Sequence, residues 1–303
     1  MKKIIYDCDN TMGIEGCDVD DGLALLYLLG KRDIELCGIT STYGNSDVDT
    51  VYANTALMLK ELGRSDIELV KGSANKHSLK SAAADFIVKT VTSNKGNISI
   101  LATGSLTNLY GAYLLDNDIF EHVSEIVLMG GITKELRING KILDELNLSC
   151  DPAATECVLR NGKNVSILTG NNCLDAFFTN QEFNQRLLSN DMPIAQYIAQ
   201  KCEYWFKNMM TIFNIEGFHN WDVVAAAYLV NSSLFNNNVQ NIIPNPKNLE
   251  KGLLSNNTPD EGLPCLINIP VIANLKTFTD DVYDAWLGLD IPYNKVTGRV
   301  DDL

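Results

Sequence analysis

No stretch of this chain carries the roughly 18 consecutive apolar residues that a membrane-spanning helix needs. The opening, MKKIIYDCDN, has an apolar run of only about four residues that ends in acid, which reads as a first strand and not as a signal peptide. Paired CxxC motifs are missing too. The eight cysteines (Cys8, Cys17, Cys37, Cys150, Cys157, Cys173, Cys202 and Cys265) are scattered, as reduced thiols of a cytoplasmic protein would be. Basic charge is also short. Lys and Arg number 24 against 38 Asp and Glu, and the net charge of −14 argues against nucleic acid or an anionic membrane as partner, since basic patches hold both. A neutral substrate or a bound cation is compatible with it. Neither a linker nor an internal repeat divides the 303 residues, so one domain over 1–303 is expected. With 46% of residues hydrophobic, its core should be substantial.

Short β-rich runs alternate with amphipathic stretches. Strands are predicted at Lys3–Tyr6, Glu35–Ser41, Ile67–Val70, Ile98–Ala102, Glu125–Met129 and Val165–Thr169, with a late one within 266–275. TVYANTALMLKELG (50–63) has a helical repeat and ends in Gly. Beyond about residue 175 the pattern turns helical, and 231–264 reads as irregular. Such alternation implies an α/β fold, a doubly wound, mainly parallel sheet with helices on both faces and a helical C-terminal portion. In such sheets ligands bind beyond the carboxyl ends of the strands. The residues expected there are Asp7 and Asp9, Tyr43-Gly44-Asn45, Thr103-Gly104-Ser105 and Met129-Gly130-Gly131.

The first strand supports two chemistries. Asp7-x-Asp9-x-Thr11 is how haloacid-dehalogenase-type phosphatases present an aspartate nucleophile. The same strand followed by Asp20-Asp21 at a helix start suits a cation site. The phosphatase reading needs a well-placed lysine and a later acidic pair, and it leaves MGG (129–131) and ELNLSCDPAAT (145–155) without a role.

Six landmarks, in order, carry a resemblance: DCD…DVDDGLALLYLL (7–29), GITSTYGN (38–45), LATGSLTNL (101–109), IVLMGG (126–131), NGKILDELNLSCDPAA (139–154) and WDVVAAAYLV (221–230). With them the chain resembles the inosine–uridine-type nucleoside hydrolase family from residue 3 to about 290. The resemblance implies hydrolysis of the N-glycosidic bond of ribonucleosides to free base and ribose, with Ca²⁺ as cofactor and a homodimer or homotetramer as assembly. It makes Asp9 a calcium ligand and the general base. Asp21, Asp222, the Leu128 carbonyl and Asp7 complete or support the metal site. Asp20, Asn45, Asn139, Glu145 and Asn147 are implied to bind the ribose.

The chemistry fits these residue types. Ribosyl transfer to water passes through an oxocarbenium-like state, which needs an activated water, a hold on the ribose and help for the departing base. Carboxylates and carbonyls are hard oxygen ligands suited to Ca²⁺, and a carboxylate base beside a cation-activated water works near neutral pH.

Three departures from the family stand out. Between the second and third acids the family commonly has three residues; here ten intervene, Asn10 to Val19, so Asp18 competes for a role. Where many members carry a His directly before the last aspartate ligand, this chain has Trp221, with His219 two residues earlier. A Trp there resembles the purine-preferring branch and can stack a base, so a purine-preferring or broad enzyme is expected. Finally, a longer loop that the family carries after VKGSANKHSLK (70–80) is missing. A relative that binds a ribosylated ligand without efficient turnover is the rival expectation.

Overall fold

The computed structural model describes residues 1–256, 262–294 and 299–300. Its frame is an eight-stranded sheet: β1 (Lys2–Cys8), β2 (Ile34–Ser41), β3 (Leu69–Lys71), β4 (Ile98–Ala102), β5 (Glu125–Met129), β6 (Val165–Leu168), β7 (Val239–Ile242) and β8 (Cys265–Asn268), in the order β7-β8-β6-β5-β4-β1-β2-β3. All neighbours run parallel except β7 and β8, which are antiparallel. The central strands are covered on both faces and read as continuous apolar runs, which made them visible in the sequence. β7 was not. Its Val-Gln-Asn-Ile run is mostly exposed at the sheet edge and carries no apolar signal, so it had merged into the irregular 231–264 stretch.

Eight longer helices surround the sheet: α1 (Asp20–Gly30), α2 (Val48–Glu61), α3 (Ala82–Ser93), α4 (Thr107–Leu115), α5 (Pro152–Asn161), α6 (Pro193–Phe213), α7 (Trp221–Val230) and α8 (Leu275–Leu287). Asp47 caps α2 by accepting the Thr50 N–H, so this helix starts two residues before the predicted 50. α1 and α7 are apolar almost all round, and they pack against each other in the larger of two cores. Trp286 of α8 is fully buried and donates its indole N–H to the Leu23 carbonyl of α1 at 3.0 Å.

The parallel register brings the strand ends level. Asp7 of β1 lies beside Thr40 of β2 and Ala102 of β4, and Ala102 beside Leu128 of β5. The first turns of α1 and α7 come to the same edge, so Asp20, Asp21 and Asp222 reach a point that β1 alone could not furnish.

Candidate active site

At this edge lies a cavity of about 210 Å³ lined by Asp18, Asp20, Asn45, Asn147, Trp221 and Asp222, among others. No Lys, Arg or His is among its lining residues. Asp20, Asp21 and Asp222 each offer an oxygen within 4.8 Å of the others, and all three are buried. Asp20 also accepts the backbone N–H of Asp222 at 3.3 Å, which ties the start of α1 to the start of α7.

Asp9 follows the end of β1. Its Oδ2 accepts the Asn45 backbone N–H at 2.5 Å, while its Oδ1 is buried without a hydrogen-bond donor. Gly44 is required beside it, because a β-carbon there would overlap Asp9 Oδ2. The Asn45 side chain donates to Asp21 Oδ2 at 3.3 Å, and the Thr103 hydroxyl donates to Asp21 Oδ1 at 2.7 Å. Burial raises the pKa of Asp9, Asp20, Asp21 and Asp222, and for all but Asp21 neighbouring carboxylates push it up further. Buried acids crowded in this way, one of them with an orphaned oxygen, match the donor set a divalent oxygen-seeking cation would take.

Asp7 sits deeper. The Thr40 hydroxyl and the Asn108 amide both donate to its Oδ1, and burial lifts its carboxyl to about 7. It has no exposed surface. Thr11 is turned to the Asp18 carbonyl at 3.0 Å. Neither arrangement presents a phosphatase nucleophile.

The other expected residues divide. Glu145 and Asn147 line the cavity. The Glu145 carboxylate accepts the backbone N–H groups of Gly131, Leu148 and Ser149 at 2.8–2.9 Å, and its pKa is raised by burial against those bonds. The Asn147 amide donates to the Thr103 carbonyl at 2.8 Å and the Met129 carbonyl at 3.1 Å, so it spans β4 and β5. Leu128 is the penultimate residue of β5, fully buried among its paired neighbours. Asn139 is not brought in. It occupies the exposed, left-handed turn (φ +46°) of the hairpin 137–142, and its amide binds the Phe213 and Asn214 carbonyls. The acids at ligand distance of one another are Asp20, Asp21 and Asp222, and the charge of Asp21 in turn raises the pKa of neighbouring Asp9.

Trp221 lines the cavity and His219 does not. The His219 ring lies behind the indole, 5.1 Å between centroids, and is flanked by Phe177 at 5.0 Å. Its Nδ1 meets the Leu174 carbonyl at 3.0 Å, and burial depresses its pKa to about 4. At neutral pH it is an uncharged support for the indole.

TGSLTNL (103–109) forms the turn from β4 into α4. In this turn Leu106 precedes α4 without a side-chain cap. Its polar groups serve the acids instead: Thr103 holds Asp21, Asn108 holds Asp7, and Thr107 holds Asp151 at 2.8 Å. A Thr-Gly-Ser-x-Thr-Asn run at a strand end facing four acids was the available signal. No residue of 70–80 lines the cavity.

The comparisons agree with this geometry. The family model described as inosine-uridine preferring nucleoside hydrolase matches residues 4–255. A probable uridine nucleosidase 2 of Arabidopsis thaliana is 25% identical over 261 residues, covering 75% of this chain and 78% of the relative. Among solved structures, the plant nucleoside hydrolase PpNRh1 superposes with a TM-score of 0.82 at 20% identity, covering 94% of this chain and 99% of that one. A purine-preferring ribonucleoside hydrolase from Gardnerella vaginalis gives 0.78 at 22% identity, covering 95% and 99%. The chain therefore belongs to the inosine-uridine preferring nucleoside hydrolase family, and it is an N-glycosidase of ribonucleosides.

Proposed function

We propose that the cavity holds one Ca²⁺ and one nucleoside, and that Asp9 is the general base of the hydrolysis. The observation that carries this reading is the Asp20–Asp21–Asp222 cluster, whose Asp20 and Asp222 line a cavity without a cationic side chain, together with the orphaned, buried Oδ1 of Asp9, held beneath the lining by Asn45. Asp9, Asp21, Asp222 and the Leu128 carbonyl are the proposed ligands, with Asp7 as their support from beneath. Bound there, the cation would hold the ribose and acidify a water, as hard divalent ions do. Asp9 would take the proton of the attacking water. Asn45, held by Asp9 through its backbone and by Asp21 through its amide, orients both acids. Asp20, Glu145 and Asn147 bind ribose hydroxyls, and Trp221 stacks the base.

Purine or broad preference follows from the indole in place of a histidine. A single domain over the whole chain, a cytoplasmic location and a homodimer or homotetramer complete the proposal; among the described residues no helix is long and apolar enough to cross a membrane. The rival, a binding relative without efficient turnover, draws support only from the absent loop near 70–80.

A crystal structure grown with CaCl₂ tests the metal assignment. Oxygens of Asp9, Asp21, Asp222 and Leu128 should lie about 2.3–2.6 Å from the ion. An ion bound elsewhere, or a shell lacking Asp9, overturns it.

A further inference from the structure

The ten residues between Asp9 and Asp20 form a braced loop rather than a slack one. Ile14 N–H bonds the Thr11 carbonyl, Cys17 N–H bonds the Ile14 carbonyl, and the Thr11 hydroxyl reaches the Asp18 carbonyl. From outside, the Tyr204 hydroxyl of α6 accepts the Gly13 N–H at 3.2 Å and donates to the Cys17 carbonyl at 3.1 Å. The Asn54 amide of α2 binds the carbonyls of Asn10 and Met12, and Met12 is buried against Gly22. The product of this bracing is one fixed side chain in the cavity: Asp18.

Its place there is specific. The Asp18 and Asp20 carboxyls are hydrogen-bonding neighbours, and Asp20 in turn accepts the backbone N–H of Asp222. This chain of contacts runs from the loop to the start of α7, where Trp221 faces the cavity. Asn45, Glu145 and Asn147 arrive from other elements, after β2 and from the segment after the 137–142 hairpin. Asp18 and the indole of Trp221 thus line one cavity, joined through Asp20 and the start of α7. Its Oδ1 accepts one N–H, from Val19 at 2.7 Å, and a carboxylate has about four acceptor positions, so it has capacity to spare.

We propose that Asp18 is a specificity-determining residue that accepts a hydrogen bond from an amino group of the nucleobase. This rests on reading the cavity as the nucleoside site. Adenine and cytosine carry an amino group where hypoxanthine and uracil carry an oxygen at the corresponding ring position. A carboxylate rewards the donor and repels the oxygen, and a site built around one polar contact rejects the analogue that lacks it.

The test compares kcat/KM for adenosine against inosine and cytidine against uridine in wild type and D18N. In wild type the amino member of each pair should be favoured. In D18N, isosteric and able to present its own amide donor, both ratios should fall about tenfold. Ratios that stay within twofold, or a loss equal for all four nucleosides, overturn the proposal, the second result meaning that Asp18 acts only through Asp20. Calorimetric binding of free adenine and hypoxanthine to the wild type needs no variant and should favour adenine; equal affinities would also count against Asp18. Absence of ribose release from all four by wild type would instead strike at the site reading, with the base-binding comparison still deciding the role of Asp18.

Discussion

The carboxylate of Asp9, just past the end of β1, accepts the backbone N–H of Asn45, in the turn after the neighbouring strand β2, at 2.5 Å. One oxygen is thereby fixed, and the other is left without a donor. That division suits a group that must hold still while taking a proton.

Asp9→Asn should keep the fold, since an amide oxygen can accept the same N–H, yet abolish turnover. A general base is typically worth about 10²–10⁴-fold in rate, and loss of a metal ligand adds to that. Ribose release by Asp9→Asn within threefold of wild type would remove Asp9 from the role.

Gly44→Ala is a stricter probe of the same contact, because it alters no functional group. The new methyl would overlap Asp9 Oδ2, so the carboxylate must swing or the loop must move. Catalytic efficiency should fall by at least about tenfold, in keeping with the sensitivity of rates to small misplacements. Unchanged kinetics with an unchanged melting temperature would show that Asp9 has room to shift without consequence.

Much of this was legible beforehand, for identifiable reasons. Strands β1, β4, β5 and β6 are buried on both faces, so their apolar runs announce themselves. The four acids Asp7, Asp9, Asp20 and Asp21 lie within one short stretch, next to a strand end. What escaped depends on distance along the chain. Asn108 reaches Asp7 across 101 residues and Tyr204 grips the inserted loop across 187, and no local pattern encodes either contact. Asn139 was legible only as the Asn-Gly of a hairpin turn, and nothing nearby in the sequence announces its bond to the Phe213 carbonyl. His219 was ambiguous by two residues; only the pairing of 217–219 with 177–179 shows it behind Trp221.

The buried acids make a prediction about pH. Burial raises Asp9, Asp20, Asp21 and Asp222 and brings Asp7 to about 7. A carboxyl with a raised folded-state pKa keeps its proton in the folded chain after the unfolded chain has lost it, near pH 4. Its stabilising contribution is full below that point and is lost as pH rises through the folded value. Exposed acids with lowered pKa, such as Asp47 and Asp66, have the opposite sign, but their contribution is already complete near pH 4. Protein stripped of metal should therefore melt at progressively lower temperature between about pH 4 and 7. Added Ca²⁺ should raise the melting temperature more at pH 7 than at pH 5, because protons compete for the same oxygens. A metal-free protein that grows more stable across this range would contradict the cluster's assigned electrostatics.

Trp221→Ala should cost purine nucleosides about tenfold or more in kcat/KM and pyrimidines less, since stacking contributes roughly 0.5–1.5 kcal/mol beyond burial. His219→Ala should be milder. With a pKa of about 4 the imidazole is uncharged at neutral pH, its Nδ1–H is bound to the Leu174 carbonyl, and it reaches the cavity only through the indole. A large loss at His219 with none at Trp221 would reverse the two roles.

The most direct measurement is ribose release from inosine, adenosine, guanosine, uridine and cytidine by protein stripped with a chelator, before and after CaCl₂ is restored. Negligible release from the stripped protein, full recovery with calcium, faster cleavage of the purines, and no recovery in Asp9→Asn are expected. Calcium-independent release, or recovery in Asp9→Asn equal to wild type, would contradict the claim that a cation held beside Asp9 drives the reaction.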